Sequence, residues 1–376
     1  MKQGEKKIWL LGSSSFFNDF GSEMIAPILP FFIIALGGTG LAVGLLSGLR
    51  EGLASIFKLF GGWYSDRVGK RMPFIFFGYF TSIIFRFLLA LATSWHYIIA
   101  FVSLERFGKL RDAPRDAVIA VSTKKRGRGF GIQQMLDTGG AIAGSFVVLL
   151  LFWKLGLNFK TIIILAGTIS AFSLIPLFFV KEPKTKKQKK SLFKGIFDLD
   201  KKLKYFIFVA GIFTLANFGL YMFLLLRAKQ ITGSIVVALA LGVLFNFIWA
   251  LFAIPFGVLS DKVGRKKILL LGYVLFFFVS LGFIFFSSLL SLISLFILFG
   301  FVYAITKSNQ TALVSDLSGK MKATALGFYQ FILGISSILG GVFAGLLWDI
   351  NYRVMFIYLS IIALISIFFL LFVKEK

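Results

Sequence analysis

Apolar runs long enough to cross a hydrocarbon core follow one another along almost the whole chain, separated by short charged or glycine-rich breaks. A crossing helix needs about 20 such residues. On that measure the pattern predicts twelve helices, at roughly 8–35, 42–64, 73–93, 97–120, 129–153, 160–180, 204–227, 235–259, 268–287, 291–314, 324–348 and 353–373. The breaks alternate in character. Gly37-Gly-Thr-Gly40 and Thr93-Ser-Trp-His96 are short and nearly uncharged, whereas the intervening breaks carry most of the 41 Lys and Arg residues. The positive-inside rule places that basic side in the cytoplasm, and an even number of crossings puts both termini there. The one sizeable polar stretch, residues 181–203, then links a six-helix half at 1–180 to a second at 204–376. Its run Lys184-Thr-Lys-Lys-Gln-Lys-Lys190 sets topology and suits anionic lipid headgroups, at about 1 kcal/mol per surface Lys.

Composition agrees with the pattern. Of 376 residues 58% are hydrophobic and only 15% charged, against about 25% charged in soluble domains. Such a chain cannot hide its apolar surface from water and is read as an all-α integral protein of the cell membrane. The net charge of +25 is no sign of nucleic acid, which needs a basic face on a folded soluble domain. The apolar stretch after Met1–Lys7 runs too long for a signal peptide and holds Asp19 and Glu23, so it reads as a retained first helix. With no cysteine and a single histidine, His96, at the outer edge between two spans, neither a metal site nor a nucleophile set can be assembled. No phosphate-cradling loop is present. The expectation is a protein without enzymatic chemistry, cofactor or metal.

One stretch occurs twice. Gly62-Trp-Tyr-Ser-Asp66-Arg67-Val-Gly69-Lys70-Arg71 returns 195 positions later as Gly257-Val-Leu-Ser-Asp261-Lys262-Val-Gly264-Arg265-Lys266. Each copy ends one apolar span and precedes another. Arg126–Gly131 and Lys322–Gly327 likewise open corresponding spans, and Gly144 matches Gly340. A repeat at half the chain length means two similar halves. Gly62 and Gly257, one turn before each Asp, allow close helix approach; Gly69 and Gly264 allow the backbone to turn with positive φ.

This doubled loop resembles the one between helices two and three, and again between eight and nine, of the major facilitator superfamily of transporters. The resemblance extends over nearly the whole chain. It implies twelve helices in two pseudo-symmetric halves, with a substrate site near midplane between the repeats. It also implies that the loops latch the cytoplasmic side closed, with Arg115 and Asp116 engaging the first loop. The chain is expected to act as a monomer on a small-molecule substrate together with protons, in the lipid bilayer.

Charges inside apolar spans mark where chemistry can lie, since each one at a helix centre costs about 2.5–3.5 kcal/mol unless it meets a cavity or a partner. Span one carries Asn18, Asp19 and Glu23, with Pro27 and Pro30 bending its outer end. Span four holds Glu105, Arg106, Lys109, Arg111, Asp112, Arg115 and Asp116. At about 100° per residue, Glu105, Lys109, Asp112 and Asp116 share one face, and Glu105 with Lys109 form a natural i,i+4 pair. Pro114 should loosen this helix. Span five adds Gln133, Gln134 and Asp137; span two Arg50, Glu51 and Lys58; span three Arg86. Arg106 matches the helix-four arginine that the resemblance links to proton coupling in drug exporters. Gly144 is followed by Ser145, where those exporters often carry Gly-Pro.

The second half is nearly bare, with Asn217, Arg227 and the run Lys307-Ser-Asn-Gln310, and Tyr221, Phe245, Trp249 and Tyr329 as candidate aromatic wall. The division suggests that the first half handles protons and charge while the second offers an apolar surface to substrate. Three readings follow. The first is a secondary transporter working by alternating access, exporting a small amphipathic molecule against protons. The second is a proton symporter of an organic solute, with Lys109 or Arg106 binding a carboxylate. The third is a non-transporting membrane sensor or scaffold.

Overall fold

The computed structural model describes residues 3–123, 125–182, 196–319 and 321–374, and every regular element among them is helical. The run Lys184–Lys190 lies outside the described residues. The first crossing is α1 (Gln3–Ile25), continued after a turn by α2 (Leu29–Ala35). Pro27 falls in that turn and Pro30 in the first turn of α2, where its missing N–H is harmless. Then come α3 (Gly40–Val68) and α4 (Met72–Ala90).

The fourth crossing is broken into α5 (Trp95–Glu105), a 3-10 segment Arg106–Arg111 and α6 (Asp112–Ser122). Next are α7 (Arg126–Leu155) and α8 (Phe159–Ala171), the latter extended by short 3-10 turns to Phe179. In the second half α9 (Lys201–Ala216) and α10 (Tyr221–Thr232) share one crossing. They are followed by α11 (Ile235–Val263), α12 (Arg265–Phe285), α13 (Leu289–Leu317), α14 (Lys322–Ile350) and α15 (Tyr352–Leu371).

Among the described residues, eleven of the helical crossings are long and apolar enough to span a membrane. The remaining predicted one, the fourth, is in place but is charged and interrupted. The seventh, expected as continuous, breaks at Asn217–Gly219, where Gly219 takes φ +111°.

The chain forms two compact units, Met1–Gly37 with Leu53–Ser191, and Gly38–Gly52 with Leu192–Lys376. In the first unit α1 packs tightly along α7. Gly140 and Gly144 rest on the backbone carbonyls of Phe16 and Phe20, where any side chain would collide. Near the amino end of α1, Ile8 and Leu11 bury with Ile75, Tyr79, Val118, Ile119, Leu177 and Val180. In the second unit Gly340 rests on the carbonyl of Leu215. Phe20 and Leu215 stand 195 positions apart, the same offset as the doubled loop, so the repeat extends to packing. Phe213 stacks on Tyr273 with ring centres 3.7 Å apart and planes 2° from parallel.

The second unit also contains a seam between the start of α3 and α14. Gly40, Gly44, Gly48 and Gly52 fall every fourth residue and so line one face of α3. Gly44 and Gly341 meet through carbonyls, Gly48 lies against Ser337 and Ile338, and Gly52 against Gly334. Small residues let backbones approach this closely without lipid or side chains intervening. At the end of the seam Asp349 accepts hydrogen bonds from Gly40 N at 2.6 Å and Leu41 N at 2.8 Å. It thereby supplies two acceptors to the otherwise unpaired amides of the α3 N-terminus.

Candidate functional site

The charged residues of the first unit converge because the fourth crossing departs from α-helix. A 3-10 segment turns about 120° per residue instead of 100°, so six residues rotate later positions by roughly 120° relative to a regular helix. Pro114 contributes, since it cannot donate to Leu110, four residues earlier. The shared face expected for Glu105, Lys109, Asp112 and Asp116 is thereby broken up.

Glu105 is buried and held by two guanidinium groups, Arg86 at 3.0 Å and its neighbour Arg106. Arg86 also donates to the Asn18 carbonyl at 2.9 Å and to Ser170 Oγ at 2.5 Å. Lys109 lies 3.7 Å from Asp112, and Arg111 3.8 Å from the same carboxylate. The fully enclosed Arg111 donates to Ser82 Oγ at 3.0 Å and Gly108 O at 2.7 Å and lies 4.4 Å over the Tyr79 ring.

A second cluster sits closer to the α6 end. Arg115 pairs with Asp116 at 3.0 Å and with Asp137 at 3.7 Å, and donates to Ser15 Oγ at 2.6 Å. Ser15 shares a hydrogen bond of 2.8 Å with Tyr79. Asp137 accepts from Gln133 Nε2 at 2.6 Å and keeps 20% of its side chain exposed. Asp19 accepts from Asn18 Nδ2 at 3.0 Å and is half-buried, as is Glu23 one turn on. Asn18, Asp19, Glu105 and Arg106 therefore gather around Arg86, a residue the spacing alone did not single out. Asp137, Arg115 and Asp116 gather around Ser15 and Tyr79. Glu51 belongs to the second unit, where it lies 3.6 Å from Lys307.

The doubled loop has the same internal construction in both copies. Gly69 and Gly264 have φ of +76° and +107°, as the motif requires. Their amides donate to Ser65 O at 2.9 Å and Ser260 O at 3.1 Å. Ser65 and Ser260 in turn donate to the carbonyls of Gly62 and Gly257. Asp66 pairs with Arg71 at 3.3 Å and Asp261 with Arg265 at 2.8 Å; by the 195-residue offset Arg265 corresponds to Lys70, so the basic partner differs by one position. Arg67 lies over the Trp63 ring at 5.5 Å, and Lys70 and Lys262 are exposed.

Three features of these loops were not visible in the motif. Glu182 accepts from the amides of Arg71 and Met72, both at 2.9 Å, and so caps α4. Arg265 also pairs with Asp316, and Lys266 donates to Leu371 O at 2.7 Å. The close approach expected of the two motif glycines is present at Gly62, where an added Cβ would lie 3.0 Å from that of Ala113, and absent at Gly257. Gly61 is the residue pressed on the backbone of Leu110, and a side chain at Gly257 would meet nothing within 4 Å.

In the second unit the aromatic candidates divide. Tyr221, Phe245 and Trp249 join Phe299 and Tyr303, with Phe245 ring centres 5.1 to 6.2 Å from the other four. Tyr329 instead donates to Gln310 Oε1 at 3.0 Å, while Gln310 donates to Tyr273 at 2.9 Å, a buried neutral network. Gln310 corresponds to Arg115 by the 195-residue offset, and its place is taken by an uncharged group.

Comparison with known proteins agrees with this architecture. The family model described as Major Facilitator Superfamily matches residues 11–233 and 206–376. An uncharacterized MFS-type transporter of Methanocaldococcus jannaschii is 47% identical, covering 98% of this chain and 95% of the relative. The multidrug resistance protein MdtH of Blochmanniella pennsylvanica is 25% identical over 92% of this chain and 88% of its own. The crystal structure of the nucleoside transporter NupG superposes with a TM-score of 0.80 over 100% of both chains at 15% identity, which speaks for the fold alone. With its twelve crossings, its halves repeated at 195 residues and these matches, the chain belongs to the major facilitator superfamily of membrane transporters and is not an enzyme.

Proposed function

We propose that the chain is a proton-coupled secondary carrier that exports a small amphipathic organic molecule by alternating access, as a monomer in the cytoplasmic membrane with both termini inside. The observation that carries this reading is the division of charge between the units. In the first, Asp19 and Asp137 are partly accessible carboxylates, Asp137 lying 3.7 Å from the Arg115 guanidinium and Asp19 accepting from Asn18. A carboxylate so placed is held between desolvation, which favours its protonated form, and a cationic neighbour, which favours the ionised one. Hydration or substrate arrival can tip that balance and load or release a proton. Glu105 is held by Arg86 and Arg106 and serves as a fixed counter-charge. The loops at Asp66–Arg71 and Asp261–Arg265 latch and release the cytoplasmic side.

Export is the direction favoured by the resemblance to a protein named for multidrug resistance. The test is inside-out vesicles with an imposed pH gradient, challenged with cationic, neutral and anionic amphipaths. Collapse of the gradient by one class, lost in Asp19→Asn, supports antiport with Asp19 as coupling residue. Silence from every class in vesicles containing folded protein removes the antiport reading and leaves symport or a non-transporting role.

A further inference from the structure

The second unit has a charged feature that this reading does not use. Lys307 is the only Lys or Arg in α13, and it falls well inside a membrane-crossing helix. Its side chain is nevertheless 51% exposed, and the neighbouring Ser308 is exposed as well. An ammonium at that depth costs about 2.5–3.5 kcal/mol against lipid, so it faces water and a partner rather than acyl chains. The partner present is Glu51, 3.6 Å away and itself 46% exposed. That separation is an ion pair without a tight hydrogen bond, open to exchange.

What surrounds the pair is aromatic. Lys307 lies 5.5 Å from the centre of the Tyr303 ring, one turn earlier in α13. Tyr303 meets Phe245 edge-on at 5.2 Å and Trp249 at 5.6 Å, and Tyr221 continues the wall 5.1 Å from Phe245. Tyr221 and Trp249 are only half-buried. The sign of charge is also biased. Arg50 and Lys307 are cationic while Glu51 is the sole carboxylate within the crossings of this unit, since Asp261, Asp316 and Asp349 lie at helix ends.

We infer that Lys307 and this aromatic wall form a binding site for a small ring-bearing organic anion, whose carboxylate displaces Glu51 from the ammonium while its ring lies against Tyr303 and Trp249. Glu51 balances the Lys307 charge when the site is empty and selects against ligands that cannot replace it. A cationic amphipath is disfavoured because it would have to take Glu51 from Lys307 and leave that ammonium without its carboxylate. This inference rests on the carrier reading in one respect, that the chain binds a small organic substrate.

The experiment measures binding of radiolabelled benzoate and indole-3-carboxylate to the full chain in lipid nanodiscs. Competition with cyclohexanecarboxylate and benzylammonium defines the ligand class. The aromatic acids are expected to bind, cyclohexanecarboxylate to compete more weakly and benzylammonium not to compete. Lys307→Gln should weaken binding by about tenfold or more, Lys307→Arg should keep it within about threefold, and Glu51→Gln should tighten it. Unfolding temperatures of each variant separate lost binding from lost fold, and the arginine variant carries the test if the glutamine variant does not fold.

The inference is overturned if neither acid binds, if benzylammonium competes best, or if folded Lys307→Gln binds as the parent does. Binding as expected without any proton flux on adding the same acids would refute the carrier reading and leave the site. Proton flux driven by other compounds, with no aromatic acid bound, would refute the site and leave the carrier.

Discussion

Replacing Glu105 by Gln removes the one carboxylate between Arg86 and Arg106 and leaves two buried guanidinium groups facing each other. Removing one partner from a buried ion pair costs about 3–5 kcal/mol, because the remaining charge stays desolvated. With an unfolding entropy of about 2.1 cal/mol/K per residue, 376 residues give about 0.8 kcal/mol/K. The expected fall in unfolding temperature is then about 4–6 °C.

Arg86→Met should act more gently. It leaves Glu105 balanced by Arg106 and vacates only the Asn18 carbonyl and Ser170 Oγ, a loss of about 1–3 kcal/mol. The double variant strands one guanidinium instead of two, so adding Arg86→Met to Glu105→Gln should raise the unfolding temperature by about 1–3 °C. The six tryptophans allow the transitions to be followed by intrinsic fluorescence in detergent. If the double variant melts lower than Glu105→Gln by the full Arg86→Met increment, the two side chains do not share a charge balance and the fixed counter-charge assignment is wrong.

Further outcomes follow from the packing. Gly341→Ala should part the seam between α3 and α14, because its methyl would fall on the carbonyl of Gly44; about 1–3 kcal/mol should be lost, read as a lower unfolding temperature. Asp349→Ala should lose about 1 kcal/mol by stripping two acceptors from the α3 N-terminus, and Asp349→Asn should lose less. Gly69→Ala and Gly264→Ala both place a side chain at positive φ. Each should lower stability by about 1 kcal/mol and slow transport by the loop's movement, with Gly264, at φ +107° and ψ +135°, the worse of the two.

Much of this was legible in the chain itself. Twelve crossings and the doubled loop follow from apolar length and from the 195-residue offset, because lipid forces every backbone group into helical bonding and leaves hydropathy little to contradict. Gly69 and Gly264 were legible for a local reason, their positive φ. Partners across the bundle were not. Glu105 was matched to Lys109 by α-helical spacing, but the 3-10 stretch Arg106–Arg111 changes the angle between successive side chains, and spacing rules fail wherever the helix type changes. Arg86 lies on another helix, and no periodicity within span four could reach it. Glu182 as the cap of α4 is a contact between residues more than 100 positions apart. The α3 side of the seam, by contrast, is written in the chain, since Gly40, Gly44, Gly48 and Gly52 repeat every fourth residue.

The central claim is that protons move through Asp19 and Asp137 while Glu105 only balances charge. Purified protein in liposomes with a pH-sensitive dye inside allows two activities to be measured on one preparation, uphill movement of a transported amphipath driven by a pH gradient and its exchange at equal pH. The account predicts that Asp19→Asn or Asp137→Asn abolishes gradient-driven movement and its proton signal while exchange persists. Should both variants keep full gradient-driven transport, proton coupling does not reside in this cluster and the account is contradicted.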